Sequence, residues 1–155
     1  MQKLLKTLTF SLAILSSILS FSQAKKENQR YIFFFHNKFV QENPLNPTHP
    51  EYGKAEYNEI LESFRKDNFI VFSEKRKKNT NSAEYAEKIV KQVKALIKKG
   101  VPPNHITVIG TSQGGYIAQY VSTYLSNPDV NFVFIGCFRD VDIQEIPDIN
   151  FCGNI

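Results

Sequence analysis

Apolar residues in this chain gather in short unbroken runs, separated by longer stretches in which they recur every three or four positions. The runs are Tyr31 to His36, Phe69 to Phe72, Ile106 to Ile109 and Phe132 to Cys137. They are rich in aromatic and β-branched residues and too short for helices, so they predict strands buried on both faces. The intervening stretches read as helices. Tyr57, Ile60, Leu61 and Phe64 mark one face of a helix over roughly 52–66. Ala86, Ile89, Val90, Val93, Leu96 and Ile97 form the stripe of a second. It is opened by Asn81 with Glu84 three residues on, and closed by Gly100 before Pro102 and Pro103. Tyr116, Ile117, Tyr120, Val121, Tyr124 and Leu125 give a third, stopped at Asn127-Pro128. Pro44, Pro47 and Pro50 make 37–49 an irregular loop, 138–149 reads as an acidic irregular loop, and Asn150 to Ile155 as the start of a further strand. Strands alternating with helices predict an α/β fold, a three-layer α/β/α sandwich on a mainly parallel sheet.

Ligands of such sheets collect beyond the carboxyl ends of the strands. That edge carries His36-Asn37, Glu74-Lys75-Arg76, Ser112-Gln113 and Cys137 to Asp142. One segment stands out: Val108-Ile109-Gly110-Thr111-Ser112-Gln113-Gly114-Gly115-Tyr116, a strand, a turn and a helix with the pattern Gly110-x-Ser112-x-Gly114. This is the form of a nucleophile elbow, in which a serine on a sharp, strained turn holds its hydroxyl clear of the sheet. Gly110 and Gly114 flank it because a Cβ at either place would be squeezed between strand and helix. The helix amino end that follows favours negative charge developing at the serine. A dinucleotide fingerprint would need glycine at position 112 and a phosphate-binding P-loop would need Gly-Lys-Ser/Thr; neither pattern is present.

The 155-residue length fits one domain. Its first 24 residues look different: Lys3 and Lys6, an apolar run from Leu8 to Phe21, then Ser22-Gln23-Ala24. This is the pattern of a secretory signal peptide, with an uncleaved anchor as the alternative, and it predicts an exported protein, periplasmic or extracellular. No other segment is apolar for long enough to cross a bilayer. Removing residues 1–24 lowers the formal charge from +4 to +2, so the chain is only mildly basic. The Lys75-Arg76-Lys77-Lys78 run reads first as a solvated loop and second as an anion subsite; without interleaved aromatic residues it does not suggest nucleic acid. Cys137 and Cys152 read as two structural thiols, though export would permit a bridge between them. His36, His49 and His105 are scattered without metal-site spacing, so neither a metal nor a cofactor is expected.

The order of elements, the GTSQGG elbow and a first strand ending in His36 resemble the α/β-hydrolase fold from its third strand onward. The likeness spans about Tyr31 to Ile155. It implies that Ser112 is the catalytic nucleophile of a serine hydrolase acting on a carboxylic ester or related acyl bond. It also implies an oxyanion hole made by the backbone N–H of Gln113 and one near Asn37 or Lys38. Members of the family usually carry His-Gly where this chain has His36-Asn37, and asparagine can supply the left-handed backbone that glycine would adopt. By the same resemblance His36 is structural. The family's acid and histidine follow the serine in the chain, yet no histidine follows Ser112; Asp140 and Asp142 follow the fourth strand, an unusual but known location for the acid. A serine without its base loses about a million-fold in turnover. The expectation is therefore an incomplete hydrolase fold whose acid and base are missing from the sequence. Two alternatives stay open: a non-catalytic binding member of the fold, and an inactive fragment. The implied partner is a small-molecule ester or acyl substrate, and the oligomeric state is left open.

Overall fold

The computed structural model of the chain describes residues 29–44, 46–145 and 148–155. The leader read as a signal peptide lies outside them. Among the described residues six strands and five helices follow one another: β1 (Arg30–Phe35), α1 (Lys38–Glu42), β2 (Thr48–His49), β3 (Gly53–Lys54), α2 (Tyr57–Lys66), β4 (Phe69–Phe72), α3 (Ser82–Lys98), β5 (Ile106–Thr111), α4 (Gln113–Leu125), β6 (Asn131–Ile135) and α5 (Asp142–Glu145). A 3-10 turn at Pro103–His105 leads into β5. The fold is mixed α/β. Four parallel strands lie in the order β4-β1-β5-β6, and β2 pairs antiparallel with β3 in a separate hairpin.

Helices cover both sides of the sheet, because side chains alternate along each strand. Tyr31, Phe33 and Phe35 of β1, Ile106 and Val108 of β5, and Phe132 of β6 face α3 and α4. Phe33 is fully buried and its ring stacks on Phe72 at 4.7 Å; removing such a ring from water is worth about 2–3 kcal/mol. Ile32 and Phe34 face the other way, onto Tyr57 and Leu61 of α2 and Val40 of α1. On that face the cover stops short: Val133 and Ile135 pair in register with Ile109 and Thr111 but stay 41% and 49% exposed.

Local signals explain the helix ends. The Asn81 side chain accepts from the amides of Ala83 and Glu84 and opens α3. Gly100, just past its end, takes a φ of +88°. The tail from Asn150 reaches the edge of β6, where Asn154 exchanges backbone hydrogen bonds with Val130 and Phe132. Ser122 of α4 holds it from below, its hydroxyl accepting from the Cys152 amide and donating to the Cys152 carbonyl, both at 2.9 Å.

The proline-bearing stretch is more ordered than its composition predicts. Asn37 accepts from the Val40 amide through its side chain and starts α1, and the β2–β3 hairpin occupies the ground where the first predicted helix was to begin. That helix consequently opens at Tyr57. The acidic loop likewise contains the single turn α5. β4 is an edge strand with Ile70 exposed, not one buried on both faces. Both cysteines are free, Cys137 buried and Cys152 half-buried.

Candidate active site

β5 carries the chain to Ser112 and α4 leads away from it. Between them Ser112 adopts φ +49° and ψ −119°, a conformation that costs a non-glycine residue on the order of 1–3 kcal/mol. Its neighbours hold it there: the Ser112 amide donates to the Ile135 carbonyl at 2.8 Å, and its own carbonyl accepts from Gly115 at 2.8 Å as the helix begins. The Ser112 side chain is exposed. Close approach explains the glycines. A Cβ on Gly110 would lie 2.2 Å from the Gly114 carbonyl oxygen, and one on Gly114 would lie 2.1 Å from the carbonyl oxygen of Phe35. The strand, the helix and the end of β1 therefore meet backbone to backbone. Gly115 is pressed against Cys137 in the same way, since its Cβ would fall 2.3 Å from Sγ.

The contact at Gly114 brings the His36-Asn37 segment beside the serine turn. The first amides of α4, Gln113 and Gly114 among them, have no acceptor inside the helix. Asn37 departs from expectation in its backbone. Its φ of −70° and ψ of 175° are extended, not left-handed, because its side chain is engaged as the cap of α1. Lys38 is exposed and pairs with Glu42 at 3.5 Å.

His36 is buried. Its Nδ1 donates to the Asn37 carbonyl at 2.8 Å while its Nε2 accepts from the Arg76 amide at 3.1 Å. Burial, with the Arg76 charge adding to it, lowers its pKa from 6.5 to about 4, so the ring is neutral at pH 7 and both nitrogens are engaged. Arg76 corrects the solvated reading of the basic run. It is only 3% exposed, and its guanidinium donates to the Gln41 side chain at 3.0 Å and to the His36 carbonyl. Lys75, Lys77 and Lys78 are exposed as expected.

Three of the other candidates have hydrogen-bond partners of their own. The Nδ1 of His49 accepts from the amides of Glu51 and Tyr52, which leaves Nε2 to carry the proton and unable to accept one from a hydroxyl. His105 lies at the amino end of β5, on the opposite rim, where its Nδ1 meets the Gln29 carbonyl. Asp140 is exposed. Asp142 is buried, and its carboxylate takes the Tyr116 hydroxyl at 2.6 Å, the Arg139 amide at 2.8 Å and the Arg139 guanidinium at 2.7 Å. Burial alone would raise its pKa, but these donors outweigh burial and hold it below the usual carboxylate range. It ties the loop after β6 to the first turn of α4.

Two adjoining hollows share Asn37 and Ala55. One, of about 190 Å³, is walled by Phe34, Val40, Tyr57 and Ile60 and reaches Thr111, the residue before the serine. The other, of about 220 Å³, lies among Phe39, His49, Tyr52 and Lys54. A further hollow of about 200 Å³ under α3 shares no residue with the serine turn.

The phospholipase/carboxylesterase family model matches residues 67–143, a segment that runs from β4 through the serine turn to α5. β1 and the His36-Asn37 loop precede the matched segment. No curated protein matches the chain.

Proposed function

The chain belongs to the α/β-hydrolase family, whose matching branch consists of esterase- and phospholipase-like hydrolases, and from that membership we propose that it is a serine hydrolase cleaving a carboxylic ester or related acyl bond, with Ser112 as nucleophile. The observation that carries this reading is the strained, exposed backbone of Ser112, held between Gly110 and Gly114 at a helix amino end. Ser112 Oγ attacks the acyl carbon and the carbonyl electron pair moves onto oxygen. The amides of Gln113 and of Asn37 or Lys38 receive that charge. Collapse of the intermediate expels the alcohol, which takes up the proton first given by Ser112, and water then repeats the sequence on the acyl-enzyme. An oxyanion donor of this kind contributes about a hundred- to a thousand-fold in rate.

The 190 Å³ hollow beside Thr111 is small against the roughly 300 Å³ of a drug-sized pocket, and its apolar wall suits a short acyl group. None of the sequence's three histidines is arranged to take the serine proton, and this reading assigns no base among them. The leader supports action beyond the cytoplasmic membrane. A fluorophosphonate probe tests the assignment: Ser112 is modified in the wild type, at the reduced rate of a serine with no assigned base, and nothing is modified in Ser112→Ala. Ligand binding that is indifferent to Ser112→Ala, with no modification at Ser112, would instead favour a binding protein on the same fold.

A further inference from the structure

Arg76 is an anomaly of the fold. It is buried, and among the described residues no carboxylate is in ion-pair contact with it, while its Nη1 is enclosed without an acceptor. Burial brings its pKa down only to about 10, which leaves it a cation at neutral pH. Taking such a charge out of water is costly and is offset only through the hydrogen bonds it makes there.

What it touches is specific. Its Nη2 donates to the carbonyl of His36, and its Nε to Gln41, which fixes the plane of the guanidinium. Its own amide donates to His36 Nε2 at 3.1 Å, and this sets the tautomer in which Nδ1–H donates to the Asn37 carbonyl at 2.8 Å. Two consecutive peptide carbonyls, those of His36 and Asn37, thus receive hydrogen bonds from one relay. The N–H groups across those same two peptides belong to Asn37 and Lys38. A hydrogen bond accepted at a carbonyl polarises its peptide and strengthens the N–H at the other end, by about 10–30% per bond. The Gly114 contact holds these peptides against the serine turn, with the His36 carbonyl oxygen 2.7 Å from where a Gly114 Cβ would stand.

We propose that Arg76 is a positioning residue that acts through His36 to orient and polarise the Asn37 and Lys38 amides as oxyanion donors. This rests on the reading of Ser112 as nucleophile. Substrate never touches Arg76; its charge reaches the reaction through two peptide units.

The test compares wild type, Arg76→Met and Arg76→Lys as full chains, with folding checked by circular dichroism. Two quantities are read: the rate of Ser112 modification by a fluorophosphonate, and the amide proton shifts of Asn37 and Lys38 in ¹⁵N-labelled protein. Arg76→Met slows modification by about tenfold and moves both amide protons upfield, while Arg76→Lys, which keeps a cation able to reach the His36 carbonyl, recovers part of the rate. An unchanged rate, unmoved amide protons, or a lysine variant as slow as the methionine one overturns the proposal. If Arg76→Met does not fold, Gln41→Leu, which frees the guanidinium plane, is read against the same outcomes. If wild-type Ser112 is not modified at all, the amide shifts alone decide: both protons moving upfield in Arg76→Met upholds the polarisation, and neither moving overturns it.

Discussion

Acidification acts on His36 before it reaches most carboxylates. The ring is neutral in the folded protein, its pKa lowered from 6.5 to about 4 by burial and by the Arg76 charge. Between those values the unfolded chain binds a proton that the folded chain does not, so stability falls as the pH falls. The contribution is fully present above about pH 6.5, declines through pH 5, and is exhausted below about pH 4. Each tenfold difference in proton affinity is worth roughly 1.4 kcal/mol, so going from pH 7.5 to pH 5.0 removes about 2 kcal/mol undamped and about 1 kcal/mol after solvent screening. Urea unfolding at the two pH values measures it, with His36→Gln as the variant that cannot titrate. The wild type loses this increment on top of a background that both proteins share, a shift of roughly 0.5–1 M in midpoint at an ordinary slope. An acid dependence that is the same in His36→Gln, or a His36 ring that titrates near 6.5 by NMR, would refute the reasoning.

Gly114→Ala places its methyl 2.1 Å from a backbone oxygen that cannot yield and destabilises by about 1–3 kcal/mol in thermal melts. Gly115→Ala meets the Cys137 side chain instead, and pairing it with Cys137→Gly restores part of the loss, whereas Gly114→Ala gains nothing from that second change. Asp142→Asn loosens the hold on Tyr116 and Arg139, and tryptic cleavage after Arg139 becomes several-fold faster than in the wild type. Thiol titration modifies half-buried Cys152 well before Cys137, whose pKa burial pushes up.

The strands and long helices were legible because their patterns are set by burial. Ile106 and Val108 are fully buried where continuous apolar strands were expected, and Ala86, Ile89, Val90 and Val93 form the buried stripe of α3. The glycine spacing around Ser112 was legible because the Gly110 clash is with the next turn of the same segment, whereas the partner of Gly114, the Phe35 carbonyl, lies far back in the chain. Other features depend on partners distant in sequence. Arg76 sits in a run of cations that reads as solvated, and only the His36 ring and carbonyl, forty residues earlier, make an interior place for it. Asp142 looks like any loop acid until Tyr116 and Arg139 close on it. Asn37 was read through the glycine it replaces, yet its side chain had a different use as a cap. The prolines marked where regular structure stops, but α1 precedes them, and the β2–β3 hairpin pairs only two residues on each side, too few to leave a periodic signal.

Catalysis at Ser112 depends on where charge can be received next to it. A crystal structure of the phosphonylated protein measures this directly. A phosphonyl oxygen is expected roughly 2.7–3.1 Å from the Gln113 nitrogen and from the nitrogen of Asn37 or Lys38. An oxygen turned to solvent with neither amide in reach, or a Ser112 side chain folded away from the His36-Asn37 loop, would contradict it.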